Sequence, residues 1–200
     1  MAVGVLLAEG VRVDSEGGGF RGCSPGGIAR LARRAIGQIG ASSNPVAAAT
    51  SAGTGAGQNL AGVGMNVNLA PVLDVYYKSG NFIDQYQRSY SNNPSVVSEC
   101  GQAFITAQQA TGVAATAKHF PGLGSATKNQ NTDTGPVTLT VSQTKLHTID
   151  EVPYPTAVSA GVKLVMVSWA IYPALDPTLP AGLSPRSSGR NCAAVTTSPA

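Results

Sequence analysis

Four short apolar runs punctuate the chain: VRVDSE from Val11, MNVNLAPVLDV from Met65, VAATAKHF from Val113 and KLVMVSWA from Lys163. Each is largely apolar and rich in β-formers, the pattern of strands covered on both faces of a sheet. Each also ends in polar residues: Asp14 and Glu16, Asp74, Lys118 and His119, then Ser168 and Trp169. Segments of helical character lie between them. In NPSVVSECGQAFITAQQATG, residues 93–112, Asn93 can cap, Pro94 suits the first turn, and Val97, Cys100, Phe104 and Ala107 recur on one face. Gly112 then stops the helix ahead of the next strand. NPVAAATSAGTGAGQNLAGVG before Met65 predicts a weaker helix, because Gly53, Gly55 and Gly57 lower its propensity. PTAVSAG before Lys163 predicts a third. Helix, glycine, strand, repeated three times, predicts an α/β fold, either a barrel or a doubly wound sheet. Such folds keep their sites at the carboxyl ends of parallel strands, where the polar residues gather here.

The carboxyl end breaks the pattern. From Ser184, SPRSSGRNCAAVTTSPA has no apolar period and is rich in Ser, Thr and Pro. Residues 1–185 are therefore expected to form one domain, and 186–200 an irregular, disordered tail. Residues 17–40 are also dense in Gly and Arg.

Composition narrows the function classes. Net charge is +3, from 13 basic against 10 acidic residues, and charged residues make up only 12% of the 200. Arg30, Arg33 and Arg34 form the one dense basic group and read as a solvated helix face. With aromatics at 6%, the broad basic surface and stacking platforms of a nucleic-acid site are not indicated. Cys23, Cys100 and Cys192 are odd in number and widely spaced, with no CxxC pair or Cys/His metal spacing. Neither a disulfide framework nor a zinc site follows. Cys100, among apolar residues at helical spacing, reads as a core thiol. The opening MAVGVLLAEG lacks a basic n-region and meets Glu9 at once, a poor signal peptide, and no stretch is long enough to span a membrane. If Met1 is the true start, a cytoplasmic protein is expected.

Few residues could do chemistry. His119 and His147 are the two histidines; a strand-end imidazole such as His119 is more often structural than catalytic, and His147 in TKLHTIDE reads as a surface helix residue. On an extended chain Lys118 and His119 point to opposite faces unless the strand ends there. Asp14, Asp74 and Asp133 all fall at strand ends or in the following loop. Cleaving a glycosidic bond takes two groups flanking it, one donating a proton and one attacking or activating water. Asp133, in KNQNTDTG, could take that part, but from its polar loop alone a turn-forming aspartate is the favoured reading. GLG at 122–124 is not a phosphate cradle, since neither GxGxxG nor GxxxxGK[ST] is present.

At KHFPG the chain resembles glycoside hydrolase family 3, in particular its bacterial β-N-acetylhexosaminidase-like members. VDSEGG (13–18) looks like the family's Asp-Gln-Glu-Gly-Gly segment, and GMNVNLAPVLDV (64–75) is similar to its next strand. RSYSNNPSVV (88–97) resembles its Arg-Ser-Phe/Tyr segment, GVAATAKHFPGLG (112–124) matches closely, and GVKLVMVSWAIYPALDPTLPAGLSP (161–185) resembles a later strand and loop. The agreement keeps this order over residues 11–185.

The resemblance implies a (β/α)₈ (TIM-type) barrel, here incomplete, that hydrolyses terminal β-linked sugars with retention of configuration, β-N-acetylglucosaminides first among them. It implies sugar-hydroxyl binding by Asp14, Arg88, Lys118 and His119, and it makes Asp133 the candidate acid/base. Carbohydrate is the implied partner; no metal and no cofactor are implied, and oligomeric state is left open.

Three departures qualify the expectation. The family's acid/base loop often carries Asp-x-His, and Gly135 stands at the histidine position. Arginines that follow the family's double glycine are out of register with Arg21, and the first barrel strand is not evident. Finally, the family continues after PAGLSP to a strand ending in Thr-Asp, whose aspartate is the nucleophile, whereas no acidic residue follows Asp176 here. A complete barrel takes about 250 residues. Truncation or a frameshift is therefore expected, with negligible hydrolysis by these residues alone. The alternatives are a non-catalytic sugar-binding remnant and a β-glucosidase-type member of the same family; an unrelated, phosphate- or cofactor-binding barrel has no motif in its favour.

Overall fold

The computed structural model describes residues 13–14 and 36–187. Four parallel strands, β1 (Val13–Asp14), β2 (Val67–Asn68), β3 (Ala114–Phe120) and β4 (Leu164–Val167), lie side by side in chain order. The α-helices among the described residues are α1 (Ile36–Gly40), α2 (Pro45–Gly62), α3 (Pro94–Gln109), the short α4 (Gln143–Lys145) and α5 (Pro153–Ser159). A parallel sheet with sequential strand order and helical crossovers is an arc of a (β/α)₈ barrel. The doubly wound alternative is set aside, because a doubly wound sheet reverses its strand order.

Local chemistry accounts for the helices. Asn93 and Asn44 each place a side-chain oxygen on the first turn, accepting from Ser95 N and Ala47 N respectively, and a proline follows each cap. Gly112, at φ +86°, turns the chain from α3 into β3. In α3 the expected face of Val97, Cys100 and Phe104 is buried; Ala107 is only half-buried, and Gln108 takes the interior place instead. Its amide is satisfied there by Asn68 at 2.7 Å and by the Ala114 carbonyl at 3.1 Å, stapling α3 to β2 and β3. Cys100 is a core thiol, pushed up to about 11 by burial and the nearby Glu99.

The glycines of α2 have a role that propensity alone hides. Gly53 and Gly57 face α3, where a Cβ on Gly53 would overlap the Phe104 carbonyl and one on Gly57 the Thr111 side chain. Their absent side chains let the two helices touch backbone to backbone.

One expected element is shorter than its apolar run. Between Met65 and Val75 only Val67–Asn68 is a regular strand. Pro71 has no N–H to give the ladder, although Thr116 N still donates to Ala70 O at 2.8 Å and Leu73 N to Lys118 O at 2.7 Å. The chain thus stays beside β3 as far as Leu73 and delivers Asp74 to its end.

The main core lies between the sheet and α2, α3 and α5, built from Leu73, Val97, Phe104, Ile105, Phe120 and Tyr154 among others. Phe120 meets Tyr154 edge-on at 5.0 Å and 88°, a contact that adds about 0.5–1.5 kcal/mol to the burial of both rings. A second core of Val72, Ile83, Leu123, Leu139, Leu146 and Tyr172 underlies the loops beyond the strand ends. Among the described residues no helix is long and apolar enough to cross a membrane. The tail expected at 186–200, apart from Arg186 and Ser187, lies outside the described residues, as do Glu16, Arg21, Cys23, Arg30, Arg33, Arg34 and Cys192.

Candidate active site

The carboxyl end of β3 is where the polar side chains converge. Lys118 is buried at 2% exposure within the strand, its N–H donating to Pro71 O at 3.3 Å. Pairing with β4 runs Lys118 to Met166 and then Phe120 to Val167, skipping His119. A bulge of this kind re-aims one side chain, and the peptide between Lys118 and His119 is cis. The strict alternation of an extended strand therefore ends at His119, as the sequence allowed.

Asp74 holds His119 in place. Its carboxylate is fully buried; Oδ2 lies 2.7 Å from His119 Nδ1, while Oδ1 accepts from His119 N at 3.2 Å and Leu123 N at 2.8 Å. Burial alone would raise its proton affinity, but the charge and hydrogen bond of His119, with the two backbone donors, outweigh it and hold Asp74 below the ordinary carboxylate range. An ionised aspartate on Nδ1 orients the ring and leaves Nε2 uncommitted to Asp74. The His119 side chain keeps 13% exposure, so part of it is reachable from solvent.

Arg88 reaches the same neighbourhood through its neighbour. The Ser89 hydroxyl donates to the Asp74 carbonyl at 2.5 Å, tying the Arg88–Ser89 segment to the aspartate that carries His119. The Arg88 guanidinium lies 5.8 Å from the Phe82 ring centre, a cation–π contact that restrains it. For Asp14 the backbone alone is described: it pairs in register with Asn68 on β2.

Asp133 is placed differently. It occupies an exposed turn in which its N–H donates to Asn131 Oδ1 at 2.8 Å and Thr134 N to Asn131 O at 3.4 Å. Within the described residues this is the geometry of a turn former. Gly135 follows at φ +157°, a conformation that side-chain-bearing residues rarely adopt. Asp176 is likewise committed: Oδ1 accepts from Thr178 N at 2.9 Å, Thr178 Oγ1 at 2.9 Å and Leu179 N at 3.2 Å, and Oδ2 from Ser184 Oγ at 2.8 Å. Those bonds, the Thr178 backbone donor foremost, hold it well below the usual carboxylate range. It clamps its own loop. His147 is exposed as expected, 2.7 Å from Glu151.

Two residues of this site had no assigned role in the sequence. Asp74 was visible only as the polar end of an apolar run. Asp150, wholly buried on the π-helical turn Leu146–Asp150, carried no signal at all. Among the described residues no three His, Cys, Asp or Glu side chains form a metal-holding group.

Comparison with known proteins identifies the family. The family described as Glycosyl hydrolase family 3 N terminal domain matches residues 11–188. An uncharacterized secreted glycosyl hydrolase of Arthroderma benhamiae is 50% identical over 174 residues, which is 87% of this chain and 48% of that protein. A beta-hexosaminidase of Stenotrophomonas maltophilia is 34% identical over 123 residues, 62% of this chain and 35% of that one. Among solved structures, a glycoside hydrolase family 3 beta-N-acetylglucosaminidase from Paenibacillus sp. superposes with a TM-score of 0.67 at 32% identity, over 76% of this chain and 28% of that one. The chain thus spans half or less of the length of these relatives.

Proposed function

Since the chain belongs to the glycosyl hydrolase family 3 N-terminal domain family, we propose that it forms part of a retaining exo-β-glycosidase acting on terminal β-N-acetylglucosaminides. The observation that carries this reading is the Asp74–His119 pair at the end of β3, next to the buried Lys118. A fixed imidazole edge and a cation beside it can hold the hydroxyls of one pyranose rigidly, so that binding costs little reorganisation. In this reading Asp14, Arg88, Lys118 and His119 bind the sugar, and Asp133, brought over the leaving group by its loop, is the proton donor. The choice of N-acetylglucosamine rests on the likeness to the beta-N-acetylglucosaminidase from Paenibacillus, and that of a hexosaminide more broadly on the beta-hexosaminidase from Stenotrophomonas.

Retention needs a second carboxylate as nucleophile, about 5–5.5 Å from the acid. No acidic residue follows Asp176 in these 200 residues, and Asp176 is occupied in its own loop. Hydrolysis is therefore proposed for a protein that supplies this carboxylate, and sugar binding for the present residues. Calorimetric titration of the folded chain with N-acetylglucosamine and with glucose tests the reading. Saturable binding of the first, abolished by His119→Ala, is expected. Preferential binding of glucose would favour a β-glucosidase-type member, and a folded chain that binds neither would overturn the sugar site. The relative from Arthroderma is described as secreted; fractionating cells and medium tests that compartment against the cytoplasm.

A further inference from the structure

A second buried carboxyl lies against the loop that follows His119. Asp150 is 0% exposed, and the Tyr77 hydroxyl donates to its Oδ2 at 2.6 Å, while Oδ1 is buried with no hydrogen-bond partner. Oδ1 faces the loop backbone: a Cβ on Gly122 would lie 2.7 Å from it, and one on Gly124 3.3 Å. Any side chain at Gly122 would thus displace the carboxyl. The loop is tied from other directions as well. The Tyr172 hydroxyl donates to Gly122 O at 2.8 Å, Asp74 accepts from Leu123 N at 2.8 Å, and Gly124 O accepts from Asn81 Nδ2 at 2.8 Å and Tyr77 N at 2.9 Å. Tyr77 therefore fixes Gly124 through its backbone and Asp150 through its side chain.

From this geometry we infer that Tyr77 and Asp150 form a positioning pair, filling the space under Gly122 and Gly124 to hold the Pro121–Gly124 turn and, through the Leu123–Asp74–His119 hydrogen bonds, the imidazole of His119. The inference rests on the reading of His119 as a sugar ligand.

The protonation state follows from the surroundings. Burial pushes Asp150 up to about 8, against the opposing hydrogen bond from Tyr77, with the nearby charges of Asp74 and Glu151 pushing the same way as burial. Tyr154 and Tyr172 share its electrostatic surroundings, His119 lies on Asp74, and the Lys145 ammonium is 5.7 Å from the Tyr77 ring centre. At neutral pH the carboxyl is a neutral filler. Above about pH 8 it becomes a second buried anion beside Asp74, and its repulsion is felt at the Asp74 carboxylate that holds His119.

The test follows the His119 ring by carbon-detected NMR from pH 6 to 10, with the signal assigned by comparison with His147→Gln. The wild-type ring should show an inflection near pH 8 that is absent in Asp150→Asn, which keeps the shape and cannot ionise. In parallel, Asp150→Ala should weaken N-acetylglucosamine binding about tenfold or more, and Asp150→Asn should restore it. An inflection unchanged in Asp150→Asn, or none in the wild type, would overturn the positioning role, even if Asp150→Ala fails to fold. Should the inflection behave as expected while no sugar binds at any pH, the positioning of the ring stands and the sugar reading falls.

Discussion

Two glycines of one helix should answer the same substitution with opposite signs. Gly53 and Gly62 both lie in α2, the 18-residue helix packed against α3. By propensity alone, alanine for glycine inside a helix gains roughly 0.5–1 kcal/mol. At Gly62, the exposed last residue of α2 with nothing within 4 Å of an added Cβ, part of that gain should appear. At Gly53 the added Cβ would meet the Phe104 backbone, 3.0 Å from its Cα and overlapping its carbonyl oxygen. Backbone cannot swing aside as a side-chain tip can, so α2 must move off α3. Overpacking of this kind costs about 1–3 kcal/mol. Because the clash is with backbone, the cost belongs in the upper part of that range, about 2–3 kcal/mol, and set against the propensity gain Gly53→Ala should be destabilised by about 1–2.5 kcal/mol. For a chain of this size that lowers Tm by roughly 2–10 °C, while Gly62→Ala raises it by up to about 4 °C. Thermal and urea unfolding followed by far-UV circular dichroism measure both. Equal or higher stability of Gly53→Ala than wild type would refute the close approach of the two helices.

The remaining predictions concern carboxylates. Asp74→Ala strands the donors of His119 and Leu123 and should cost about 3–5 kcal/mol in urea unfolding. Because the folded state holds Asp74 below its ordinary value, its stabilisation is present above that value and lost as pH falls through the depressed one; the variant's acid-unfolding curve should be flatter there. Asp133→Asn, in an exposed turn, should change stability by no more than about 0.5 kcal/mol, yet slow aryl β-N-acetylglucosaminide hydrolysis by a longer, nucleophile-bearing version about 10²–10⁴-fold. Unaltered turnover would remove Asp133 from the mechanism. Asp176→Ala should leave sugar binding alone and speed hydrogen exchange at the Thr178 and Leu179 amides, which it now accepts from; unchanged exchange would contradict its part as a loop clamp.

Local signals carried most of the architecture. Asn93 as a cap, Gly112 as a stop, and β-rich runs ending in polar residues are read within a few positions of chain; the cap and the stop are found where expected, and each run contributes a strand, though the second is shorter than its apolar stretch. The ordered motifs from VDSEGG to PAGLSP carried the family, and with it the attention to Lys118 and His119. What the residues could not show was contact. Asp74 and His119 are 45 positions apart and Tyr77 and Asp150 are 73 apart. No periodicity links such pairs; parallel strands meeting at one end of the sheet do. Gly53 likewise read as a weakness in α2 until α3 lay against it, because a missing side chain has value only where another backbone fills its place. Sequence determined which segments are strands and helices, since propensity and capping act along the chain. Tertiary structure decided which carboxyls stay charged and which imidazole is held, since burial and proximity exist only once the strands stand side by side.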